Sequence, residues 1–489
     1  MIQKIKETSL KKYEGLNTIP NIFNLTPEQT PNCMNVKFSV SSVEKILGTK
    51  TMNATATQTT GGWGSFDFGS GISTRNLIVG AGTGVYYSTN LGASFTVIAT
   101  DRTAGRMWFN RVKSYLISTT DNYNTPLYWA GSNATYMLTL STAATACKHA
   151  IEYQGFLFLL NSQADKRQVL YQDFNSMING TYTNSFSLPS SQDDEITDKI
   201  VYRDKLYATT KYKLFKLTFV GGNPDFDYKE VKKFGAVPGT LKVVNYKDAG
   251  EVMVMLCYDK RVRVYDGSND MIISESIEED NKICEFSLTN INEQQLSKCF
   301  AEVDTSENFY KLGLAIQPSN LNTHIACLNL RTGAWFPYRY GTPFLSMVMA
   351  ESGNRTYLMM LDYYGYCHMA DSSNTVAGTG INENYDSPFL FNKFPNVVTK
   401  QKKINLYFEQ TSSGTLDFKE AINFSKTFTT RDTITLLNTN SVNQIEKVID
   451  IPMTCNVYQY RITSNSNKAD PWKLNRSDLG NMDMGIGVS

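Results

Sequence analysis

The stretch Arg203-Asp204-Lys205-Leu206-Tyr207-Ala208-Thr209-Thr210-Lys211-Tyr212-Lys213-Leu214-Phe215-Lys216-Leu217 decides the fold class. A run with an apolar interior meets a tight polar turn at Lys211-Tyr212, and the next run alternates lysine with apolar residues. Alternation with period two puts one set of side chains in water and the other in a core, so the stretch predicts an antiparallel hairpin with one wet face. Glu251–Tyr258 repeats the device, passing through Asp259-Lys260 into Arg261–Tyr265 and then Asp266-Gly267.

Outward from these hairpins the same kind of run recurs. Asn76–Gly80, Gly84–Ser88, Tyr115–Ser118, Phe156–Leu160, Lys205–Thr209, Lys213–Thr218, Val252–Tyr258, Arg261–Tyr265 and Tyr357–Leu361 are rich in β-branched and aromatic residues and bounded by Gly, Asn, Asp and Ser. Helical spacing is scarce, and its best candidate, Ile291–Cys299, is short. Ile78, Tyr115, Phe156, Leu206, Val254, Leu312 and Leu358, taken as markers of innermost strands, recur at intervals of roughly 40–50 residues. That is the period of a four-stranded propeller blade, and the markers suggest six to eight blades. Two or three separate β-sandwiches are the alternative. Ser88-Thr89-Asn90-Leu91-Gly92-Ala93-Ser94-Phe95 is similar to the Asp-box turn S-x-D-x-G-x-T-W, with Asn, Ser and Phe in three of its places. Leu328-Asn329-Leu330-Arg331-Thr332-Gly333-Ala334-Trp335 turns through Thr-Gly and presents a tryptophan, as outer blade strands do.

The expected organisation is all-β: an N-terminal arm and first hairpin (1–50), a β-propeller-like domain (51–370), a linker (371–388) and a C-terminal β-sandwich with a terminal tail (389–489). The linker is rich in Ser, Asn, Gly and Thr. The sandwich is read from Ile404–Phe408, Leu416–Phe418, Phe424–Phe428, Thr433–Leu437, Val448–Ile451 and Val457–Ile462. Gly480–Ser489 reads as an arm or docking tail.

Composition excludes several classes. At roughly 100–200 residues per domain, 489 residues allow two to four domains. Charged residues make up 19% and aromatic ones 12%, too little charge and too many rings for a disordered chain. With 47 Lys+Arg against 46 Asp+Glu there is no basic excess of the kind an electrostatic nucleic-acid binder carries. The lysines of Met1–Gly15 precede no apolar run, so no signal peptide is read there. The longest apolar runs, Phe156–Leu160 and Val252–Cys257, fall far short of the ~18 residues of a membrane-spanning helix. A soluble protein made in the cytosol is expected.

The chemistry-bearing residues point to no enzyme. The eight cysteines form no CxxC pair, and the three histidines have no metal-ligand spacing. The cysteines are read as buried thiols of a reducing compartment. Cys367-His368 are neighbours, which a strand points to opposite faces. Gly69-Ser70-Gly71 and Gly80-Ala81-Gly82-Thr83-Gly84 are glycine-rich; the second lacks the Lys-Ser/Thr and helix of a phosphate loop and reads as a hairpin turn. Asp193-Asp194-Glu195 and Glu278-Glu279-Asp280 could pair carboxylates for glycoside cleavage, but adjacent acids in loops read as solvated. Arg102, Arg106 and Arg111 fall within one blade, whereas a sialidase clamp draws arginines from several. Lys400-Gln401-Lys402-Lys403 and the group Lys205, Lys211, Lys213 and Lys216 read as solvated faces, with phosphate or an acidic partner as the alternative. Trp63, Trp108, Trp129 and Trp335 are candidates for a glycan pocket at the axis, against a role in packing blades. No catalytic, cofactor-binding or metal-ligating residue is assigned.

The N-terminal segment is the most specific part. Gly15-Leu16-Asn17-Thr18 is followed by Pro20, then Leu25-Thr26-Pro27-Glu28-Gln29-Thr30-Pro31-Asn32-Cys33-Met34-Asn35-Val36, and after Phe38 a strand-like stretch Val43–Gly48. This resembles the opening of the bacteriophage tail tubular protein B, or tail nozzle, group of short-tailed phages, which includes tail hub and stabilisation proteins. The Thr-Gly-Ala-Trp element also recurs in that set of virion propellers. Lys45-Ile46-Leu47-Gly48 departs from the Arg-Pro-Gly or Lys-Arg-Gly often found there. The resemblance covers the whole chain in the order of its parts, while its recognisable residues lie mainly in 15–48 and 328–336. It implies a non-enzymatic structural virion protein: a homo-oligomer, a hexameric ring, forming a tail channel for genome retention and ejection. Its implied partners are the tail adaptor and portal-proximal proteins, tail fibres or other tail proteins, and viral DNA in transit without sequence specificity. No stable membrane insertion and no cofactor are implied. A glycan-binding or glycan-cleaving propeller is the alternative. Pro20, Pro27 and Pro31 keep the arm extended, free either to lend a strand to a neighbour or to complete a blade of its own ring.

Overall fold

The computed structural model describes residues 8–484, apart from 11–12, 22–23, 27, 40, 58–62, 70–74, 132–135, 142–144, 179, 181, 183, 223–224, 374, 377–378, 392–398, 410–414, 424, 437–443, 456, 465–470 and 481–482. The run Gly69-Ser70-Gly71, the arm's Pro27 and most of the terminal tail therefore lie at least partly outside the described residues.

The molecule is all-β, a seven-bladed propeller joined to a β-sandwich. Each of the first six blades is a four-stranded antiparallel meander, and the seventh takes its fourth strand from the N-terminal arm. The blades begin with Trp63–Gly69, Met107–Val112, Cys147–Tyr153, Ile196–Tyr202, Lys242–Asn245, Phe300–Asp304 and Phe344–Ser352. These first strands surround the axis, and Phe344–Ser352 packs back on Trp63–Gly69 to close the ring. The seven markers each fall on the second strand of a blade, not the innermost. The reason is burial. A second strand has a blade on each face, so Phe156–Ser162 and Phe309–Leu314 are almost wholly buried and read as apolar runs. A first strand such as Met107–Val112 borders the axis and mixes polar with apolar residues.

The quoted hairpin is the centre of the fourth blade, Lys205–Thr210 against Leu214–Phe219. The Asp-box stretch makes the turn between Gly84–Ser88 and Thr96–Ala99. Asn90 Oδ1 accepts from Ser94 N at 3.0 Å, and Ser88 Oγ accepts from Gly92 N at 2.8 Å. Phe95 packs between the first and seventh blades. The glycine-rich run 80–84 is the hairpin turn between Arg75–Ala81 and Gly84–Ser88. Ile291–Cys299 holds a 3-10 helix, Glu293–Lys298.

The arm works within its own chain. Gly48–Thr51 is the fourth strand of the seventh blade, antiparallel to Cys367–Ser373. Cys33–Met34 joins one sandwich sheet through Asn384–Asp386. Val36–Phe38 and Val43–Lys45 form a hairpin that joins the other through Lys473–Gly480, where Thr8–Leu10 also pairs. Nor is the arm extended throughout, because Gly15–Leu16 pairs in parallel with Gln29–Thr30. Gly15, at φ +91°, passes so close to the outer strand of the sixth blade that a Cβ there would stand 2.8 Å from the Trp335 carbonyl oxygen.

The stretch 371–388, read as a linker, carries Thr375–Val376 and Thr379–Gly380 on the seventh blade and Asn384–Asp386 in the sandwich. In the sandwich, the expected strand Phe424–Phe428 is instead a turn, with Asn423 at φ 52° and Ser425 N donating to Ile422 O at 2.9 Å; residue 424 lies outside the described residues. Strand structure resumes at Thr429–Thr435. One apolar cluster runs without a break from Val254 and Leu328 in the propeller, through Val36 and Phe38 of the arm, to Phe408 and Tyr460 of the sandwich.

Candidate functional site at the propeller axis

The starts of the first strands enclose a cavity of about 440 Å³, bordered by six of the seven blades. Trp108 is its centrepiece. The Arg106 guanidinium lies 4.8 Å from the ring centroid and the Lys199 ammonium 4.7 Å. His149 meets the ring edge-on at 4.7 Å, and Trp108 Nε1 donates to Asp121 Oδ1 at 2.7 Å.

The two cations differ. Arg106 is spent on backbone, donating to Pro238 O at 2.9 Å and to Cys299 O. Lys199 Nζ makes no hydrogen bond among the described residues, and its side chain is only 8% exposed. Its nearest carboxylate oxygen, Asp198 Oδ1, is 3.9 Å away. Asp198 already accepts from the backbone N–H of Lys199, Gly239 and Leu241. Removing an ammonium from water costs several kcal/mol, and a cation–π contact offsets only about 2 kcal/mol of it. Burial accordingly lowers the Lys199 pKa; Asp198 opposes the shift, while Lys242 and Arg106 add to it. Three further polar groups on the same walls, Trp63 Nε1, Ser65 Oγ and Ser346 Oγ, are buried without a partner. Buried polar groups are nearly always hydrogen-bonded, so these three exceptions around one cavity, beside the Lys199 ammonium, set it apart.

A second concavity, about 860 Å³, lies between the fourth and fifth blades and the 3-10 helix Glu293–Lys298. Most of its charges are paired: Lys211 with Glu195 at 3.4 Å, Lys232 with Asp270 at 2.6 Å, Arg263 with Asp259 at 2.6 Å. Tyr212, Phe234 and Tyr258 line it.

Of the four tryptophans, Trp63 and Trp108 border the axial cavity. Trp129 is buried against Phe68 and Tyr87, and Trp335 donates to Ile273 O at 2.7 Å from within the core. The three arginines do not converge: Arg102 is buried and donates to Thr125 O, Arg106 is at the axis, and Arg111 donates to Lys113 O. Asp193-Asp194-Glu195 is not simply solvated. Asp194 is buried and accepts from Glu195 N, Lys211 N and Ser190 Oγ, which pins the entry to the fourth blade. Burial raises the Glu195 pKa, but Lys148 at 2.9 Å and Lys211 outweigh it and hold the group below its usual value. Glu278 pairs with Arg261 at 3.2 Å and Asp280 with Lys282. Of the four hairpin lysines, Lys213 pairs with Glu230 at 2.8 Å and Lys211 with Glu195 at 3.4 Å. The side chains of 400–403 lie outside the described residues.

Cys367 and His368 point apart; His368 Nε2 meets Asp362 Oδ2 at 2.9 Å. All eight cysteines are buried free thiols. Asp304, Glu307 and Asp371 bring oxygens within 4.8 Å of one another, but Lys311 Nζ stands among them at 2.8, 3.7 and 3.4 Å, and an ammonium takes the place a metal ion would need. The segment that carries the family resemblance is structural in detail. Asn35, at φ 56°, accepts from Arg339 N at 2.5 Å and donates to Arg339 O and Asn382 O at 3.1 and 2.6 Å. Asn32 and Arg461 share the buried Asp386 carboxylate.

Sequence reasoning missed Lys199, Ser65 and Ser346. The available signal was the adjacent charges Asp198-Lys199 in the middle of Ile196–Tyr202, the first strand of its blade.

No family model matches the chain, and no curated protein matches it. Among solved structures it is similar to a chain in the complex of S. cerevisiae dbp5 with nup159, gle1, IP6 and ADP, at TM-score 0.40 and 10% identity, over 68% of this chain and 96% of that one. It is similar to the extracellular domain of a one component system from B. thetaiotaomicron, at TM-score 0.42 and 10% identity, over 81% of this chain and 48% of that one, about half of that domain's length. A chain of the BBS1N–ARL6DN complex gives TM-score 0.40 and 10% identity over 68% of this chain and 97% of that one. At these values the likenesses assign no function to this chain.

Proposed function

We propose that this chain is a structural virion protein, one protomer of the nozzle or hub ring in the tail of a short-tailed bacteriophage, made in the host cytoplasm. In this reading identical subunits close a ring, a hexamer by the resemblance of residues 15–48, around a channel that retains the genome and then passes it. Adaptor and portal-proximal proteins sit above it and tail fibres or other tail proteins beside it, and the DNA slides through without sequence-specific contacts. The role is non-enzymatic and needs no cofactor.

The observation that carries the reading is the course of residues 8–51. They close the seventh blade, cross the sixth, and add strands to both sandwich sheets. Propeller and sandwich are thereby tied into one body, as suits a subunit held in a ring. Exposed apolar side chains on separate blades suit the two unlike patches that a closed ring uses: Tyr136 (64% exposed) and Leu138 (56%) on the second blade, Phe219 and Val220 (55%) on the fourth. A near-neutral chain of net charge +1 also suits a conduit, since each phosphate contact would hold the DNA back. No helix among the described residues is long and apolar enough to cross a membrane.

Immunogold labelling of purified particles with antibody to the chain tests the reading. Gold at the tail tip is expected, and unlabelled particles overturn it. A second reading, glycan binding, is favoured by the groove where the exposed Tyr212 ring stands beside Phe234 and Tyr258. A glycan array with the wild type and Tyr212→Ala checks it: saccharide binding lost in the variant supports it, and an array without signal removes it.

A further inference from the structure

Every buried polar group that the axial cavity leaves unpartnered is able to donate a hydrogen bond. Among the described residues these are Trp63 Nε1, a donor only, and the Ser65 and Ser346 hydroxyls, which donate or accept; the Lys199 ammonium on the same walls is a donor only and makes no side-chain hydrogen bond. The carboxylates on the same walls are already committed. Asp67 takes Arg75 at 2.7 Å, Glu302 takes Lys242 at 2.8 Å, and Asp198 takes three backbone N–H groups. What remains is a surplus of donors around one cation that lacks a close counter-charge. Such a site is complementary to a ligand rich in acceptors and carrying negative charge.

We propose that the axial cavity binds a small oxyanion of the phosphate class, received by the Lys199 ammonium and by the hydroxyls of Ser65 and Ser346, with the Trp63 indole N–H beside them. The anion supplies the counter-charge that Asp198, 3.9 Å from Nζ, provides only in part. The Trp108 ring lies 4.7 Å from the same ammonium. At about 440 Å³ the cavity exceeds an inorganic phosphate, leaving room for ordered water or for the organic part of a phosphate monoester. Ser65 belongs to the first blade, Lys199 to the fourth and Ser346 to the seventh, so a bound anion bridges three blades across the axis and stabilises the closed ring. The site goes beyond the virion reading and stands or falls independently of it.

The test is calorimetric titration of the full-length protein at pH 7.5 with inorganic phosphate, sulfate and phenyl phosphate, against chloride at matched ionic strength, alongside thermal unfolding. One saturable site per chain and a saturable rise in Tm are expected, with affinity at least tenfold weaker in Lys199→Met and several-fold weaker in Ser346→Ala. Tighter binding of phenyl phosphate identifies an organic phosphate as the ligand; equal or tighter binding of inorganic phosphate identifies the free anion. No saturable heat, or unchanged affinity in Lys199→Met, overturns the proposal. Should Lys199→Met fail to fold, crystals of the wild type soaked in tungstate decide: anomalous density beside Lys199 supports the site, and its absence there refutes it.

Discussion

Two buried histidines make the fold sensitive to acid. His324 is held neutral, its pKa pushed down to about 4 by burial, with Arg339 adding to the effect. His149 is lowered well below its ordinary value by burial first, then by Lys199, Lys148 and Arg106. An unfolded histidine titrates near 6.5. Between about pH 6.5 and 4 the unfolded chain therefore binds protons that the native one refuses, and stability falls as pH falls through that window. For His324 the loss reaches about 3 kcal/mol once the pH is below its native pKa. The difference in unfolding free energy between wild type and His324→Gln is expected to change across this window and to be flat above pH 7; parallel profiles would contradict it. Asn35 supports a second prediction at this scale. Its φ of 56° suits Asn or Gly, and its side chain makes three hydrogen bonds linking the sixth blade to the segment entering the sandwich. Asn35→Ala should lose about 3 kcal/mol, from the hydrogen bonds plus the left-handed backbone. Asn35→Gly should lose less, because only the hydrogen bonds go. Chemical denaturation checks the order, and equal losses would rule out a backbone contribution.

Ring closure depends on one short strand. Gly48–Thr51 seals the seventh blade, and a Cβ on Gly48 would stand 2.1 Å from the Thr375 carbonyl oxygen. Gly48→Val must push the flanking strand Thr375–Val376 away, at a cost of about 1–3 kcal/mol for overpacking. Hydrogen exchange should then rise first in Cys367–Ser373, and a uniform rise over all seven blades would contradict the closure role. This strand also marks how far the sequence could be read. The blades were legible because their second strands are apolar on both faces, as in Phe156–Ser162, and because the turns carry local chemistry, as at Asn90. Pairings between distant segments leave no local pattern. Lys473–Gly480, central to a sandwich sheet, was not foreseen, and the polar stretch after Asp371 passed for a linker although it forms strands on two sheets. Phe424–Phe428 reads as a strand from its two phenylalanines, but the chain turns at Asn423, φ 52°, and strand structure resumes only at Thr429. At the axis, Trp63 and Trp108 were legible as candidates, but a tryptophan does not reveal in sequence which cations cover it. Lys199 looks like any lysine of an alternating strand until the opposite wall of the cavity is in place.

At the scale of the whole molecule, one apolar cluster joins propeller, arm and sandwich. The arm braces the propeller to the sandwich, and the buried pair Lys45–Glu383, at 3.1 Å, fastens that brace within the sandwich core, where Glu383 also accepts from Ser464 N and Trp472 Nε1. Removing one partner of such a pair costs about 3–5 kcal/mol. Lys45→Met should therefore destabilise the whole chain in one cooperative transition, whereas separate melting of two units would show that the propeller and sandwich are not coupled. Ring assembly should respond to a different set of residues. Leu138→Glu or Val220→Glu is expected to leave the unfolding midpoint unchanged while abolishing the ring in sedimentation velocity, because both side chains are exposed in the single chain. A ring that persists in both variants would move the interface elsewhere. The most direct test of the virion role is quantitative mass spectrometry of density-purified particles from the source. The account predicts this chain at a fixed ratio of about one half to a twelve-fold portal protein, the ratio a hexameric ring gives. Its absence from particles, or an amount that varies between preparations, would contradict it.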